Sequence, residues 1–453
     1  MEIYRLTADH DANGTISKKN THNGADRPSP SSSKGNPLVS SWLPLIHDSL
    51  SSLLRWTGTY PADVQESHLA FVRDVVVPCL KPPAAADRLH YIGTHSHSIY
   101  EASLAFTSHK PARVRYAVQP LVGPSPAQDD DPLGQKALGK ILEGLASACC
   151  ADRTWLDGLI DSVFLTADEE AGLVGKGATA APSGPGAAGG PLRQNGFVSF
   201  DLEADTDEDR KAATTMKAYL FPQLKAIATG QKTVDITDSL VRRLAQGDKE
   251  MLAAWELLKT FLITDSKKQL NVDFLAIDCL APHKEPRLKV YVATRFKSLT
   301  AVREAFTLGG LLPHSSADFL SQVWPQLMDM EDMPQATMED LEKPLNNPDS
   351  HYKGVSFTFS LVPGQSAPQI KMYVPMWQFA VDEARIVECY QRVLQTQGTL
   401  GDYDIGAAIQ GAFEKYRETG LHTFAAVTSS AKGLELTTYF GPRIWEEALE
   451  PNL

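Results

Sequence analysis

The chain has 453 residues, enough to bury a large core and more than the usual one-domain length of about 100–200 residues. Hydrophobic residues make up 43% and charged residues 22%, the profile of a folded rather than a disordered chain. The 55 acidic residues outnumber the 43 basic ones, and the net charge of −12 argues against sequence-independent binding to nucleic acid or an anionic membrane.

The opening MEIYRLTADHDANG lacks a basic stretch followed by an apolar core, so no secretory signal is expected. No run of about 18 apolar residues is present to span a bilayer. Five scattered cysteines without a CxxC pair point to a reduced, soluble, cytoplasmic protein. Residues 1–38, rich in Ser, Asn, Gly and Lys, read as a disordered tail, with ordered structure expected from near Trp42. The segment 61–80 has helical spacing, with Val64, Leu69, Val72, Val76 and Leu80 on one side.

Strands then come in pairs: 98–106 with 112–119, 197–202 with 214–221, 272–279 with 287–294, 355–361 with 369–375, and 422–428 with 434–440. Helical patterns fall between them at 238–262, 300–307, 317–328 and 381–397. Paired strands imply antiparallel hairpins rather than single strands joined by crossover helices. A low-complexity stretch from Gly172 to Asn195 reads as a flexible surface insertion. Its Gly175-Lys176-Gly177 has no Ser or Thr after the lysine, so it is not a phosphate-binding loop.

Each strand has one apolar face and one face of charged, hydroxyl or aromatic residues. Tyr100, Ala102, Leu104 and Phe106 alternate with Glu101, Ser103 and Ala105, and Val114 and Tyr116 alternate with Arg113 and Arg115. With helices covering the apolar faces, an open sheet would expose the polar faces to bulk water. A closed barrel would put them in a lumen wide enough, at about ten strands, for a ligand. Periodicity alone fits both.

Three strands carry one tripeptide shape: Lys217-Ala218-Tyr219, Lys289-Val290-Tyr291 and Lys371-Met372-Tyr373. Period-2 geometry puts each Lys and Tyr on one face, with Arg287 extending the middle copy and Arg115 adding a cation on an earlier strand. One such tripeptide is usually a solvated outer face. Three, each at a strand centre, suggest a concave surface with rings of cations and phenols, suited to a diphosphate beside an organic cation.

Several segments, in chain order, resemble the fungal aromatic prenyltransferases of the dimethylallyltryptophan synthase family: SHLAFVRDVVVPCL, SIYEASLAF, KPARVRYAVQPLVG, FVSFDL, MKAYLFP, FLAIDCLAPHKEPRLKVYVAT, FTLGG, IKMYVPM and HTFAAVTSSAKGLELTTYF. The resemblance covers about residues 40–442. It implies an α+β fold, a single ABBA-type barrel of ten antiparallel strands around a solvent-filled lumen with an outer ring of helices, here a domain over 39–453. The chemistry it implies is a metal-independent Friedel–Crafts alkylation. A prenyl diphosphate, expected to be dimethylallyl diphosphate, ionises, and an aromatic acceptor, usually an indole, attacks the allylic cation. No cofactor or metal is required, and a homodimer is a reasonable assembly.

Residue by residue, the resemblance implies a diphosphate clamp of Arg115, Lys217, Arg287, Lys289 and Lys371. It implies a carbocation shield of Tyr219, Tyr291, Tyr373 and Tyr439. Glu101 matches the carboxylate that accepts the indole N–H, and Ile92 and Gly93 match a loop touching the acceptor. Three positions depart from the pattern: Phe424 stands where many relatives have Tyr or Trp, Glu435 where many have another shield tyrosine, and Glu203 where several have a lysine. Glu435 is placed with the acceptor-binding residues, as a contact for a polar group or a pairing partner for a lysine. With released diphosphate, it is also a candidate for taking the ring proton. A phenol, a tyrosine oxygen or a polyketide ring is an alternative acceptor, and a non-catalytic isoprenoid-binding barrel an alternative of another class.

Other acidic or histidine-bearing stretches carry less. Asp129-Asp130-Asp131 lacks the DDxxD spacing of magnesium-binding isoprenoid synthases and reads as a solvated acidic loop, and DMEDM has no second acidic motif. His95-Ser96-His97 lacks a third ligand for zinc.

Overall fold

The alternation of apolar and polar residues resolves into ten strands, β1 (Tyr100–Thr107), β2 (Arg113–Val118), β3 (Gly196–Leu202), β4 (Thr214–Leu220), β5 (Phe274–Asp278), β6 (Leu288–Ala293), β7 (Ser356–Leu361), β8 (Gln369–Pro375), β9 (His422–Ser430) and β10 (Gly433–Phe440). The computed structural model describes residues 39–80, 96–108, 110–120, 131–175, 194, 196–204, 214–264, 270–350, 352–396, 404–414, 420–430 and 433–442. The expected tail at 1–38, Ile92, Gly93 and most of the 172–195 insertion lie outside them.

Every strand pairs antiparallel with its neighbours in sequence, and β1 also pairs with β10, so the sheet closes into a barrel. Closure settles what periodicity left open. One face of each strand now lies against helices, and the other lines a lumen. Leu104, Val114, Val198, Ala218, Leu275, Val290, Phe359, Met372, Val427 and Leu436, one from each strand, face outward and are buried under the helical layer. Burying a Leu, Val or Phe side chain contributes about 1.5–3 kcal/mol, so the wall is held chiefly from outside.

The helical layer is pinned to the wall by a few polar links. Tyr60 donates to the Leu202 carbonyl at 2.9 Å and accepts the Val114 N–H at 3.0 Å. The Ser49 and Tyr100 hydroxyls lie 2.9 Å apart. Such pairing keeps buried hydroxyls from going unsatisfied.

The helices differ from the sequence pattern in several places. The 238–262 pattern is two helices, Thr233–Ala245 and Lys249–Thr264. Gln246 and Gly247 both take positive φ, 47° and 91°, and Asp248 accepts the Met251 N–H at 2.9 Å to start the second helix. The 61–80 pattern is a helix only over Ala62–Phe71, followed by a π turn and a short 3₁₀ turn containing Pro78, which has no N–H to continue the ladder. Helices at Val39–Thr57, Gln135–Ala148, Thr154–Val163 and Ile405–Phe413 were not singled out by the periodicity. Asp131 is buried rather than solvated, and its carboxylate accepts the N–H groups of Lys136 and Ala137 at the start of helix Gln135–Ala148. Among the described residues no helix is long and apolar enough to cross a membrane.

Candidate active site

Because successive strands run in opposite directions, residues at the start of even-numbered strands share a lumen end with residues at the close of odd-numbered ones. Lys217, Lys289 and Lys371 lie toward the start of β4, β6 and β8, and Arg115 toward the start of β2, while Arg287 precedes β6. Asp201 and Asp278 lie toward the close of β3 and β5. All these residues line one cavity of about 690 Å³ except Asp278, which sits just behind the cations it holds.

The five expected cations are therefore together, and each has a carboxylate. Lys217 donates to Asp201, Lys289 donates to Asp278, and Lys371 donates to Glu435. Arg287 Nε donates to Asp278 at 2.6 Å, and Arg115 lies 3.4 Å from Asp201 and 3.9 Å from Glu435. Burial works against each of these charges, but the partners outweigh it for the acids. Lys289, Arg287 and Lys217 hold Asp278 far below the carboxylate range, and Arg115 and Lys217 do the same for Asp201. Lys371 and Arg115 hold Glu435 at about 2. Lys289 is pulled down to about 7 by burial and by Arg287 and Lys217 beside it, against the opposing pull of Asp278. Even with Lys289 only partly charged near pH 7, five basic groups against three carboxylates leave a positive surplus that suits a polyanion.

Above this tier stand the four expected tyrosines. The ring centres of Tyr219 and Tyr291 are 6.0 Å apart, those of Tyr291 and Tyr373 5.9 Å, and those of Tyr373 and Tyr439 5.9 Å. Phe197 stacks on Tyr219 at 4.2 Å and Phe274 on Tyr291 at 4.1 Å, which fixes the rings as a continuous arc.

Glu101, at the start of β1, occupies the opposite end of the lumen. One oxygen accepts the Thr423 hydroxyl at 2.6 Å, and the other has no partner among the described residues. Burial pushes its carboxyl up to about 7, with the Thr423 hydrogen bond acting against the shift. Phe424 packs edge-on against Tyr352 at 5.2 Å and Tyr373 at 6.3 Å. Ile92 and Gly93 fall outside the described residues. Glu435 sits with the cations because its strand begins at the cation end, and of the roles expected for it the structure shows the pairing with a lysine, Lys371. Glu203 is not a lining residue; it lies 3.6 Å from Arg113 beyond the close of β3.

Sequence reasoning missed Asp201, Asp278, Asp273, Tyr352 and Thr423. The first two left a signal, since an aspartate within the apolar runs FVSFDL and FLAIDC is unusual in a strand and shares a face with the lysines. Among the described residues no group of three or more His, Cys, Asp or Glu could hold a metal ion.

A closed ten-stranded barrel whose lumen grades from cations through phenols to buried carboxyls away from those cations fits an enzyme that handles an anionic leaving group and an electron-rich ring. The chain belongs to the tryptophan dimethylallyltransferase family, whose model matches residues 39–404, and it is a prenyltransferase. It is 30% identical to the indole diterpene prenyltransferase terF of Tolypocladium album, over 88% of this chain and 93% of that protein. It is 29% identical to the indole prenyltransferase tdiB of Emericella nidulans, over 90% of this chain and 96% of that one. The 4-O-dimethylallyl-L-tyrosine synthase of Claviceps purpurea is 25% identical, over 86% and 81%. Among solved structures, NotF in complex with brevianamide F and DMSPP superposes with a TM-score of 0.71 at 19% identity, covering 90% of this chain and 96% of that one. AnaPT from Neosartorya fischeri gives 0.67 at 22% identity, covering 92% and 96%. These two share the barrel fold.

Proposed function

We propose that this protein transfers a dimethylallyl group from dimethylallyl diphosphate to a ring carbon of an indole acceptor, with no metal ion taking part. The barrel domain spans 39–453 in this reading, and the enzyme works in the cytoplasm, in keeping with its five unpaired cysteines. The observation that carries the function is the order of groups along one lumen: cations, then the tyrosine arc, then Glu101.

Arg115, Lys217, Arg287, Lys289 and Lys371 bind the diphosphate. Their preplaced charge stabilises the leaving group as the allylic C–O bond breaks and the electron pair departs with oxygen. The faces of Tyr219, Tyr291, Tyr373 and Tyr439 stabilise the carbocation and exclude water that would quench it. Glu101 accepts the indole N–H, which raises the electron density of the ring and fixes its orientation while a ring carbon forms the new C–C bond. The ring carbon then loses its proton. Glu435, held at about 2, is a weak base, so the departing diphosphate on the same side of the arc is the better acceptor.

The test is an assay of the purified protein with dimethylallyl diphosphate, 3-methylindole and EDTA, reading prenylated product by mass and diphosphate release. Metal-free turnover is expected, and Glu101→Gln should lower kcat/KM by about a hundredfold or more. Tyrosine and a simple phenol are run alongside, given the likeness to a tyrosine O-prenylating enzyme. Product from the phenols alone would replace the indole reading, and no diphosphate release with any acceptor would overturn catalysis.

A further inference from the structure

Asp273 lies one residue before β5, at the lumen end opposite the cations. It is 7% exposed and lines the cavity. One carboxyl oxygen accepts the Ala293 N–H; the other has no partner among the described residues. Its backbone is held on both sides, by the Tyr291 carbonyl that accepts its N–H at 2.8 Å and by the Gln223 amide that donates to its carbonyl at 2.6 Å. The side chain is thus positioned by the barrel edge, not by a loop. Burial pushes its carboxyl up to about 7, and only the Ala293 N–H acts against the shift. Tyr352 lines the same cavity, and after burial the charges of Glu101 and then Asp273 are what push its hydroxyl up.

The acceptor end of the lumen therefore presents two carboxyls, each with one oxygen that has no partner among the described residues. The lining cations Arg115, Lys217, Arg287, Lys289 and Lys371 all stand at the other end, already engaged by Asp201, Asp278 and Glu435. Above pH 7, where a carboxyl held at about 7 is mostly ionised, its open oxygen in a desolvated pocket favours a donor and penalises a second carboxylate. Glu101 is taken by the indole N–H in the reading above, on which this inference rests. Asp273 lines the same cavity and is left available to a substituent on that indole.

We propose that Asp273 is a specificity-determining residue that receives an amine, amide N–H or hydroxyl on the acceptor's substituent and excludes indoles whose substituent ends in a carboxylate. The acceptor class is a neutral or cationic substituted indole, not the free amino acid. Rejection arises because a substrate carboxylate would meet Asp273 with no described cation to neutralise it, and selection arises because a donor satisfies an oxygen otherwise left open.

The experiment compares kcat/KM for tryptamine, tryptophan and 3-methylindole with saturating dimethylallyl diphosphate, using the full chain and its Asp273→Asn variant. Asparagine keeps an oxygen for the Ala293 N–H, and thermal unfolding of both proteins verifies the fold. The unmodified enzyme should prefer tryptamine to tryptophan by about tenfold or more. In the variant the tryptamine to 3-methylindole ratio should fall by about tenfold, mainly through KM, while the tryptophan to 3-methylindole ratio rises. Opposite movement of the two ratios is something a structural role would not produce. If the unmodified enzyme treats tryptophan and tryptamine alike, or the variant scales all three acceptors equally, the assignment of Asp273 is wrong while the indole reading stands. If no indole is alkylated, both fall together.

Discussion

Lys371 on β8 and Glu435 on β10 meet across β9 inside the barrel, and the ammonium group donates to the carboxylate. Arg115 lies 3.9 Å from the same carboxylate oxygen, so Glu435 competes with a diphosphate for two of the five cations. Removing that competitor should tighten diphosphate binding and loosen the protein. Glu435→Gln is expected to lower the Kd for inorganic diphosphate by about tenfold in titration calorimetry. Its melting temperature without ligand should drop by a few degrees, because Lys371 loses its carboxylate partner and Arg115 keeps only Asp201. Saturating diphosphate should more than restore the loss. A weaker Kd in the variant would mean that Glu435 helps to hold the anion's environment together instead of opposing it.

Lys289 supplies a pH dependence with a definite sign. Its folded pKa of about 7 lies below the ordinary lysine value, so above pH 7 the free enzyme is mostly neutral there. A bound diphosphate favours the charged form and raises the pKa, which requires proton uptake on binding. Affinity should then fall above pH 7, by at most about tenfold per pH unit from this group. Calorimetry at pH 8 in buffers of different ionisation heat should show uptake approaching about one proton beyond the ligand's own titration, and Lys289→Met should lose that increment. Equal uptake in the two proteins would place Lys289 in the charged state before ligand arrives.

Much of this site can be read from spacing because a strand repeats every two residues. Lys217 and Tyr219, Lys289 and Tyr291, and Lys371 and Tyr373 had to share a face whichever way the sheet closed. Closure itself had no periodic signature, since an open sheet and a barrel present the same alternation. The paired acids were hidden for a different reason: Asp201 and Asp278 sit among Phe, Leu and Ile in runs that look like plain core, and only the cross-strand register aims them at Lys217 and Lys289. Asp273 and Tyr352 lie just outside strands, where no alternation fixes a side chain's direction. Glu101 was recognisable through family resemblance, and its isolation from the cations is a property of strand polarity. For Glu435 several roles stayed open on the same account, since its tyrosine-like position in sequence says nothing of which lumen end its strand begins from; the pairing with Lys371 is the one the strand polarity brings about.

Tyr291 is the centre of the aromatic arc, 6.0 Å from Tyr219, 5.9 Å from Tyr373 and stacked on Phe274 at 4.1 Å. Its hydroxyl is pushed well up by burial and by the neighbouring tyrosines, so the phenol stays neutral and its ring face is what the carbocation meets. Deleting the ring opens a path for water between the donor and acceptor ends. In Tyr291→Ala the ratio of dimethylallyl alcohol to prenylated indole should rise by about tenfold, while Tyr291→Phe, which keeps the ring face, should stay within about threefold of the unmodified enzyme. The partition is read by mass spectrometry in a single reaction, so a partly unfolded sample lowers both products without changing their ratio. An alanine variant that turns over slowly but gives the same ratio would assign Tyr291 to packing, and the protection of the cation would then rest with Tyr219, Tyr373 and Tyr439.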